Sequence, residues 1–470
     1  MEYFALLVTA TTVIVVLAVA LYRQRRDAGT LVGIAALYYW SLFGAWYIVI
    51  DKTGGFSGKN YGYLEGKLFP IKLDREYLVA LALYAGFIII VELTLLLAVA
   101  PTHEDHFAAA LLWWRPLLLR HGPILLIGFC AGIASFLLVE GKLGAAWTLN
   151  ESAYVYTRSQ TDEWFTLHQV LNRVALLPPA IGLAALAAGK RSLTLVSAAR
   201  RYTLPAYLSL LAGMLAFTFV LGNKNEVLSA LVAGVLAYVG LVRKPNWIRT
   251  GLVAAGGLWG LYAIDYFRGV PLAGLQEAVS GRAAEATGVE DFLTSSNEAY
   301  GAHFSMYGVL AGNVEPRFGY SFYSLVCSVI PRVVWPGRPP DIYLYYSESV
   351  GAVQNQGYSL HHATGRYLNF GYLGVALGAV VMGLVWAFCL NAHLRAGSGY
   401  LFRLFAAVAP WLFVACLPPL IRAGPEGYKG FLVEGVLIPV GVLAFACRPK
   451  KIRVPLEWHP ERGWMWRPTI

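Results

Sequence analysis

The chain has 470 residues, of which 57% are hydrophobic and 14% are charged, and its mean hydropathy is +0.56. Soluble domains carry nearer a quarter of charged residues, so this composition excludes an ordinary soluble protein and predicts an all-α polytopic membrane protein. The formal net charge of +10 would suggest nucleic-acid binding in a soluble protein. Here much of the positive charge lies in short loops between apolar runs, so we expect no nucleic-acid partner.

Eleven apolar runs approach the roughly 20 residues that cross a bilayer, so we predict about 11 transmembrane helices. Because Arg23, Arg25 and Arg26 follow the first run, that run is predicted to be a retained helix with its N-terminus in the periplasm. The loops after odd-numbered runs are rich in Lys and Arg, which places them and the C-terminus in the cytoplasm. The runs cover 3–22, 29–50, 77–100, 123–140, 171–189, 206–222, 227–242, 248–264, 367–394, 401–421 and 431–447.

The domain prediction is a single polytopic membrane domain over residues 1–470. It includes a long periplasmic segment at 265–366 and a cytoplasmic basic tail at 448–470. The run 320–335 within the periplasmic segment is apolar but too short to span the bilayer, which predicts a short re-entrant or surface-lying helix. Alternatively, this run forms the buried core of a small outer subdomain.

Arginines recur on the predicted outer side, against the positive-inside tendency. The guanidinium group offers a planar fork of donors that matches phosphate oxygens, so several arginines together favour a diphosphate ligand. Ordinary anionic phospholipid is the alternative ligand for Arg332 and Arg338. The same side carries Lys224 in a tight turn, which could also be a simple solvated turn. The outer arginines are Arg158, Arg173, Arg268, Arg317, Arg332, Arg338, Arg366 and Arg422.

Two adjacent histidines, His361 and His362, stand just before the ninth apolar run and four or five residues before Arg366. An imidazole exchanges a proton near neutral pH, so either histidine is a candidate base. The alternative is that both imidazoles cap the start of the span.

The carboxylates are weaker candidates for functional residues than the arginines. Glu92 and Glu434 fall in or near apolar runs, where a partnered structural carboxylate is favoured over a proton path. The predicted outer side lacks Asp-x-Asp, His-x-x-x-His and paired cysteines, so we predict no metal ion and no cofactor.

Two short motifs carry a resemblance to a known family. They are Ile330-Pro331-Arg332-Val333-Val334-Trp335-Pro336-Gly337-Arg338-Pro339 and Gly365-Arg366-Tyr367-Leu368-Asn369-Phe370-Gly371-Tyr372-Leu373-Gly374. With these motifs, ten or more spans and the cationic turn at Lys224, the chain resembles the Wzy-type polymerases of bacterial O-antigen and exopolysaccharide repeat units. Relatives often carry an acidic residue just before the Tyr-x-Asn-Phe-Gly run, where this chain has Arg366. A catalytic carboxylate is therefore not expected at that position.

The resemblance implies a GT-C-like glycosyltransferase of the bacterial inner membrane. It would transfer a growing glycan from one undecaprenyl diphosphate to the terminal sugar of another lipid-linked repeat unit, without a metal ion. The catalytic candidates are then His361 or His362 as the base and Arg366 as a substrate clamp. The candidates for binding diphosphate and glycan are Arg158, Lys224, Arg268, Arg317, Arg332, Arg338 and Tyr367.

Two alternative functions remain open at this point. An O-antigen ligase has similar topology and chemistry but transfers glycan to a lipopolysaccharide core. A lipid-linked oligosaccharide flippase belongs to a different class, and transporters tend to show paired repeats and charged residues deep in the spans. The expected partners are undecaprenyl-diphosphate-linked oligosaccharides, membrane lipid and a chain-length regulator protein.

Overall fold

A computed structural model describes most of the chain. The described residues are 1–25, 27–53, 65, 68–101, 117–149, 163–189, 195–197, 202–242, 247–267, 298–328, 330, 334–351, 359–395, 400–449, 456–459 and 463–466.

The protein is a multi-pass helical membrane protein, with ten helices that are long and apolar enough to cross a bilayer in the described part of the chain. Helix α8 has a shorter apolar stretch, Thr250–Leu261. These helices are α1 Glu2–Arg25, α2 Ala28–Lys52, α3 Arg75–Ala98, α4 His121–Thr148, α5 Glu163–Ala188, α6 Thr203–Val220, α7 Lys224–Leu241, α8 Trp247–Phe267, α12 His362–Asn391, α13 Tyr400–Ile421 and α14 Gly427–Ala446. Among the described residues between α8 and α12 there are three shorter helices, namely α9 Glu298–Ala311, α10 Tyr320–Cys327 and α11 Ile342–Ser349.

One end of the helical bundle is closed by a small sheet, and we call it the sheet end. Strand β1, Leu117–Leu119, pairs in parallel with β2, Leu195–Ser197, and antiparallel with β3, Cys447–Pro449. Arg25 at the end of α1 also donates to the Leu390 carbonyl near the end of α12, at 2.6 Å. Loops that follow α1, α3, α5, α12 and α14 therefore meet at one end.

The opposite end gathers the remaining helix termini, and we call it the site end. The Tyr3 hydroxyl in α1 donates to the Asp74 carbonyl just before α3, at 3.0 Å. The Arg422 guanidinium, just after α13, donates to the Asn225 side chain in the first turn of α7, at 2.9 Å. The N-terminus lies at the site end, whereas the last span finishes at the sheet end.

The positions of α7 and Leu360 at the two ends indicate that α8 crosses between them. Helix α7 begins at the site end with Lys224, and its 18 residues carry the chain about 27 Å away from it. Leu360 is back at the site end, where it pairs with Ala423. The chain must cross between α7 and Leu360, and α8 is the long helix described in that interval. The fold therefore has an odd number of crossings.

Helix α9 differs most from the sequence prediction, which assigned 265–366 to a periplasmic segment with short or re-entrant helices. Every residue from Ala299 to Val309 is buried, with α9 packed between α2, α3 and α12. Gly44 in α2 makes room for this helix, because a Cβ there would lie 2.9 Å from the Tyr300 ring. Part of the segment is thus inside the bundle. Its 14 residues are too few to span, and so they gave no transmembrane signal.

Helix α10 lies with its apolar side outward. Its small residues Ser321, Ser324 and Cys327 are buried, whereas most of its large residues are exposed. This exposure contradicts the alternative that the run 320–335 forms a buried core. We call the exposed surface the apolar rim, and it consists of Phe318, Phe322, Tyr323, Val326, Ile330, Val334, Trp335, Phe370, Tyr372 and Leu373.

Helix α12 is broken inside the motif that carries the family resemblance. The backbone leaves helical geometry at Phe370 and Gly371, and Gly371 has φ 61° and ψ −145°, a conformation that glycine adopts readily. The predicted span 367–394 therefore corresponds to a crossing over 372–391. Residues 362–369 form a separate helical segment, which is buried at the site end apart from the half-buried Tyr367.

A few short strands accompany the helices of this all-α fold. Besides the three-stranded sheet, β4, Leu456–His459, pairs antiparallel with β5, Gly463–Trp466, within the predicted basic tail. Strands of three or four residues carry too little periodicity to be recognised in a sequence.

Candidate functional site

A chain of hydrogen bonds through two buried histidines connects α2, α3, α9 and α12. The His303 Nδ1–H donates to the Ser41 carbonyl at 2.7 Å, and its Nε2 accepts from the Tyr77 hydroxyl at 2.9 Å. His361 Nδ1 accepts from the Ala363 backbone N–H at 3.1 Å, so its Nε2–H donates to Ser41 Oγ at 3.0 Å. Both ring nitrogens of both histidines are therefore engaged. We call this group the histidine relay.

The histidine relay is neutral at physiological pH. Burial, with a smaller contribution from nearby His303, lowers the pKa of His361 to about 3. Burial also lowers the pKa of His303 to about 4, although its bond to the Ser41 carbonyl acts in the opposite direction. His361 is the N-cap residue of α12. These contacts support the capping role for His361 and give it no free nitrogen to accept a substrate proton.

His362 faces a different group of residues from His361. Its Nδ1–H donates to the Gly424 carbonyl at 2.9 Å, which leaves Nε2 to accept from the Arg366 Nε–H at 3.3 Å. The imidazole is fully buried. His362 therefore holds the Arg366 side chain in place, one helical turn along α12, and its own nitrogens are both occupied.

The Arg366 guanidinium is enclosed by aromatic rings. It lies 5.0 Å from the centre of the Phe322 ring in α10 and 5.5 Å from that of Tyr428 in α14, and the residue is 4% exposed. Gly378 makes this burial possible, because a Cβ there would lie 2.6 Å from Arg366 Cγ. No carboxylate of the described residues is within ion-pair distance of Arg366. A buried cation without a counter-ion is costly, so this site favours an anionic ligand.

Arg173, in contrast to Arg366, has a carboxylate partner. Its Nη1 contacts the Glu434 carboxylate at 2.7 Å and the Gly430 carbonyl at 3.0 Å. The prediction of a partnered structural carboxylate is thus confirmed for Glu434. For Glu92 it stays a prediction, since its two buried oxygens have no hydrogen-bond partner among the described residues.

Glu426 is a carboxylate that interacts electrostatically with Arg366, and it was not identified from the sequence. Its Oε1 accepts from the Ile342 backbone N–H at 3.1 Å, whereas Oε2 is buried without a hydrogen bond of ordinary geometry to a described residue. The Ser321 hydroxyl is a weak hydrogen-bond partner of the carboxylate. Burial raises the pKa of Glu426 to about 7, and the negative charge of Asp341 adds to the shift. Glu426 and Arg366 attract each other electrostatically without forming an ion pair.

Asn369 fixes α10 above this site. Its side-chain oxygen accepts from the Ser321 backbone N–H at 2.9 Å, and its nitrogen donates to Ser321 Oγ at 2.7 Å and to the Gly365 carbonyl at 2.6 Å. The Asn in the Tyr-x-Asn-Phe-Gly run thereby ties α12 to α10 and holds the Phe322 ring over Arg366.

Two of the predicted binding arginines flank α10. The Arg317 backbone N–H donates to the Leu368 carbonyl, and its exposed side chain lies 3.9 Å from the centre of the Tyr345 ring. Arg338 Nη1 donates to the carbonyls of Ser328 and Ile330, both at 3.1 Å, beyond the other end of α10. The structure thus brings Arg317, Arg338 and Arg366 to one short helix.

The remaining predicted residues lie around or outside this group. Tyr367 is half-buried and packs edge-on against Tyr372, with ring centres 5.3 Å apart. Lys224 begins α7 at the site end, next to the Asn225 that Arg422 contacts. Arg158, Arg268 and Arg332 lie outside the described residues. We call the group formed by Arg366, Glu426, Tyr428 and Phe322 the arginine cluster.

Comparisons of the chain with protein-family models, with curated proteins and with solved structures found no match. The resemblance to a family therefore remains a prediction from the sequence.

Proposed function

We propose that the protein polymerises oligosaccharide repeat units carried on undecaprenyl diphosphate. The growing glycan moves from its lipid diphosphate to the terminal sugar of an incoming lipid-linked unit. The observation that carries the proposal is the Arg366 guanidinium, buried between aromatic rings without an ion-pair partner among the described residues. Such a cation suits the diphosphate leaving group, on which negative charge develops during transfer.

The apolar rim supports a lipid-borne substrate over a soluble one. Phe322 belongs both to the arginine cluster and to the apolar rim, and Phe370 lies 5.8 Å from it between ring centres. A polyprenyl chain could lie along these exposed apolar side chains while its diphosphate reaches the cation behind Phe322. The arrangement separates an apolar surface from a single buried charge, as an amphiphilic substrate requires.

The proposed location is the bacterial inner membrane, with the site end facing the periplasm. The Lys- and Arg-rich loops predict that the sheet end is cytoplasmic. Undecaprenyl diphosphate is already a good leaving group, so the reaction needs cations rather than a nucleotide and a metal ion. Arg317 and Arg338 assist Arg366 in this proposal, together with Lys224, Arg158, Arg268 and Arg332.

Lipid-carrier extracts from a deletion strain test the proposal against its rivals. Loss of a polymerase leaves single repeat units on undecaprenyl diphosphate at the periplasmic face. Full-length unligated chains would instead indicate a ligase, and single units retained at the cytoplasmic face would indicate a flippase. Complementation with the wild-type chain should restore the polymer.

A further inference from the structure

Glu426 stands in a segment that wraps the first turns of α12. The Gly424 carbonyl accepts from His362, and Pro425 packs so closely on Gly365 that a Cβ at Gly365 would collide with it. Tyr428, two residues beyond Glu426, stacks near the Arg366 guanidinium. The segment 424–428 therefore brings the Glu426 carboxylate within electrostatic range of the buried Arg366 cation, which comes from a distant part of the sequence.

The carboxylate has one fixed oxygen and one available oxygen. The Ile342 N–H, at the start of α11, binds Oε1 and orients the group. Oε2 is buried and has no hydrogen bond of ordinary geometry to a described residue, and the Ser321 hydroxyl gives the carboxylate only a weak hydrogen bond. An oriented carboxylate with a free lone pair in a dry site has the geometry of a proton acceptor.

The groups that face Glu426 set its protonation. Burial is the dominant cause and raises the pKa of Glu426 to about 7. Hydrogen bonds from the Ile342 backbone N–H and the Ser321 hydroxyl lower this pKa, whereas the charge of Asp341, the N-cap residue of α11, raises it. Tyr320 from α10 and Arg366 from α12 also interact electrostatically with this carboxylate. A carboxylate that titrates near neutral pH is suited to accept a proton and later release it.

We propose that Glu426 is the general base of the transfer reaction. The hydroxyl oxygen of the acceptor sugar forms a bond to the anomeric carbon of the donor glycan, and its proton passes to Glu426 Oε2. The bond between the anomeric carbon and the diphosphate oxygen breaks, and its electron pair leaves with the diphosphate, whose charge Arg366 compensates. This role rests on the proposed function and replaces His361 and His362 as candidate bases.

The test compares full-length purified variants acting on lipid-linked repeat units across about pH 5 to 9, with rates expressed per folded molecule. The wild-type kcat/KM should fall as the pH drops through about 7, because Glu426 becomes protonated. Glu426→Gln should reduce turnover by roughly a hundredfold or more and abolish this acidic limb. Glu426→Asp should keep the limb at a reduced rate.

Glu434→Gln is the matched control, since Glu434 is a buried glutamate of α14 that pairs with Arg173. It should retain the acidic limb and the turnover per folded molecule. If wild type polymerises and Glu426→Gln retains both rate and limb, the role of Glu426 is overturned while the polymerase proposal stands. If wild type makes no polymer, the proposed function fails and this role fails with it.

Discussion

The histidine relay and the arginine cluster meet at the start of α12, where His361 and Arg366 are five residues apart. They differ in whether their buried polar atoms have partners. In the relay, both ring nitrogens of His303 and His361 have partners, so no polar capacity remains for a substrate. In the arginine cluster, Arg366 has no ion-pair partner among the described residues, and Glu426 Oε2 is buried without a hydrogen bond of ordinary geometry to any of them. A satisfied network stabilises a fold, whereas unsatisfied buried groups cost free energy and point to a ligand.

The comparison also changes the interpretation of the histidine pair. Sequence analysis treated His361 and His362 as equivalent candidates for the base. In the structure, His361 belongs to the relay and His362 supports Arg366. Adjacent residues at a helix start point in different directions, so one pair of histidines serves two separate groups of side chains.

The largest expected effect is that of Arg366→Ala. Removing a charge-assisted contact to a diphosphate in a dry site costs on the order of 2–4 kcal/mol of transition-state stabilisation, or about 30- to 1,000-fold in rate. Arg366→Lys should recover part of this loss, because lysine keeps the charge but lacks the planar fork. Polymer formation by purified protein measures both variants.

Arg25→Ala provides the matched control for Arg366→Ala. Arg25 is a largely buried arginine at the sheet end, where it donates to the carbonyls of Ala100 and Leu390. The control should lower stability and leave turnover per folded molecule unchanged. Equal losses of turnover in the two alanine variants would mean that Arg366 acts through stability alone.

Much of the span pattern could be predicted from the sequence, because an apolar run of about 20 residues is rare outside helices that cross a membrane. The run 77–100 corresponds to Arg75–Ala98, for example. Helix α9 could not be predicted in this way, since its burial depends on the helices packed around it. The break in α12 has a sequence signal, because Gly371 can adopt the positive φ that the break requires. Gly378 likewise marks the place where the Arg366 side chain packs against the α12 backbone. The proximity of Glu426 to Arg366 depends on tertiary structure, so no local pattern could reveal it.

A smaller effect is expected from moving the segment that carries Glu426 away from Arg366. Gly365→Ala places a methyl group against Pro425 and 3.1 Å from Gly424 Cα, which displaces the segment that carries Glu426. Such overpacking typically costs about 1–3 kcal/mol of stability, and we expect turnover per folded molecule to fall about tenfold. Thermal unfolding and polymer assays measure these two effects.

Gly141→Ala serves as the control for this variant, because a Cβ at Gly141 meets no neighbouring atom within 4 Å. Stability and turnover should both be retained. A Gly365→Ala protein as active as the Gly141→Ala protein would contradict the tight packing on which the cluster depends.

The smallest effect on catalysis is expected from breaking the histidine relay. His361→Ala removes the N-cap of α12 and leaves Ser41 Oγ without its donor, which should cost about 1–3 kcal/mol of stability. His361→Asn should recover part of that loss, since Asn is a good N-cap residue. Turnover per folded molecule and its pH profile should match the wild type. A lost acidic limb in either variant would restore His361 as the candidate base.

Thermal unfolding with undecaprenyl diphosphate, in a buffer that contains a strong chelator, tests most directly whether the arginine cluster binds the substrate. A ligand that binds only the folded protein raises the Tm, and the rise grows with the logarithm of the ligand concentration divided by Kd. We predict a rise for the wild type and for His361→Asn, and no rise for Arg366→Gln. An equal rise in Arg366→Gln, or no rise in the wild type, would contradict a diphosphate site at Arg366.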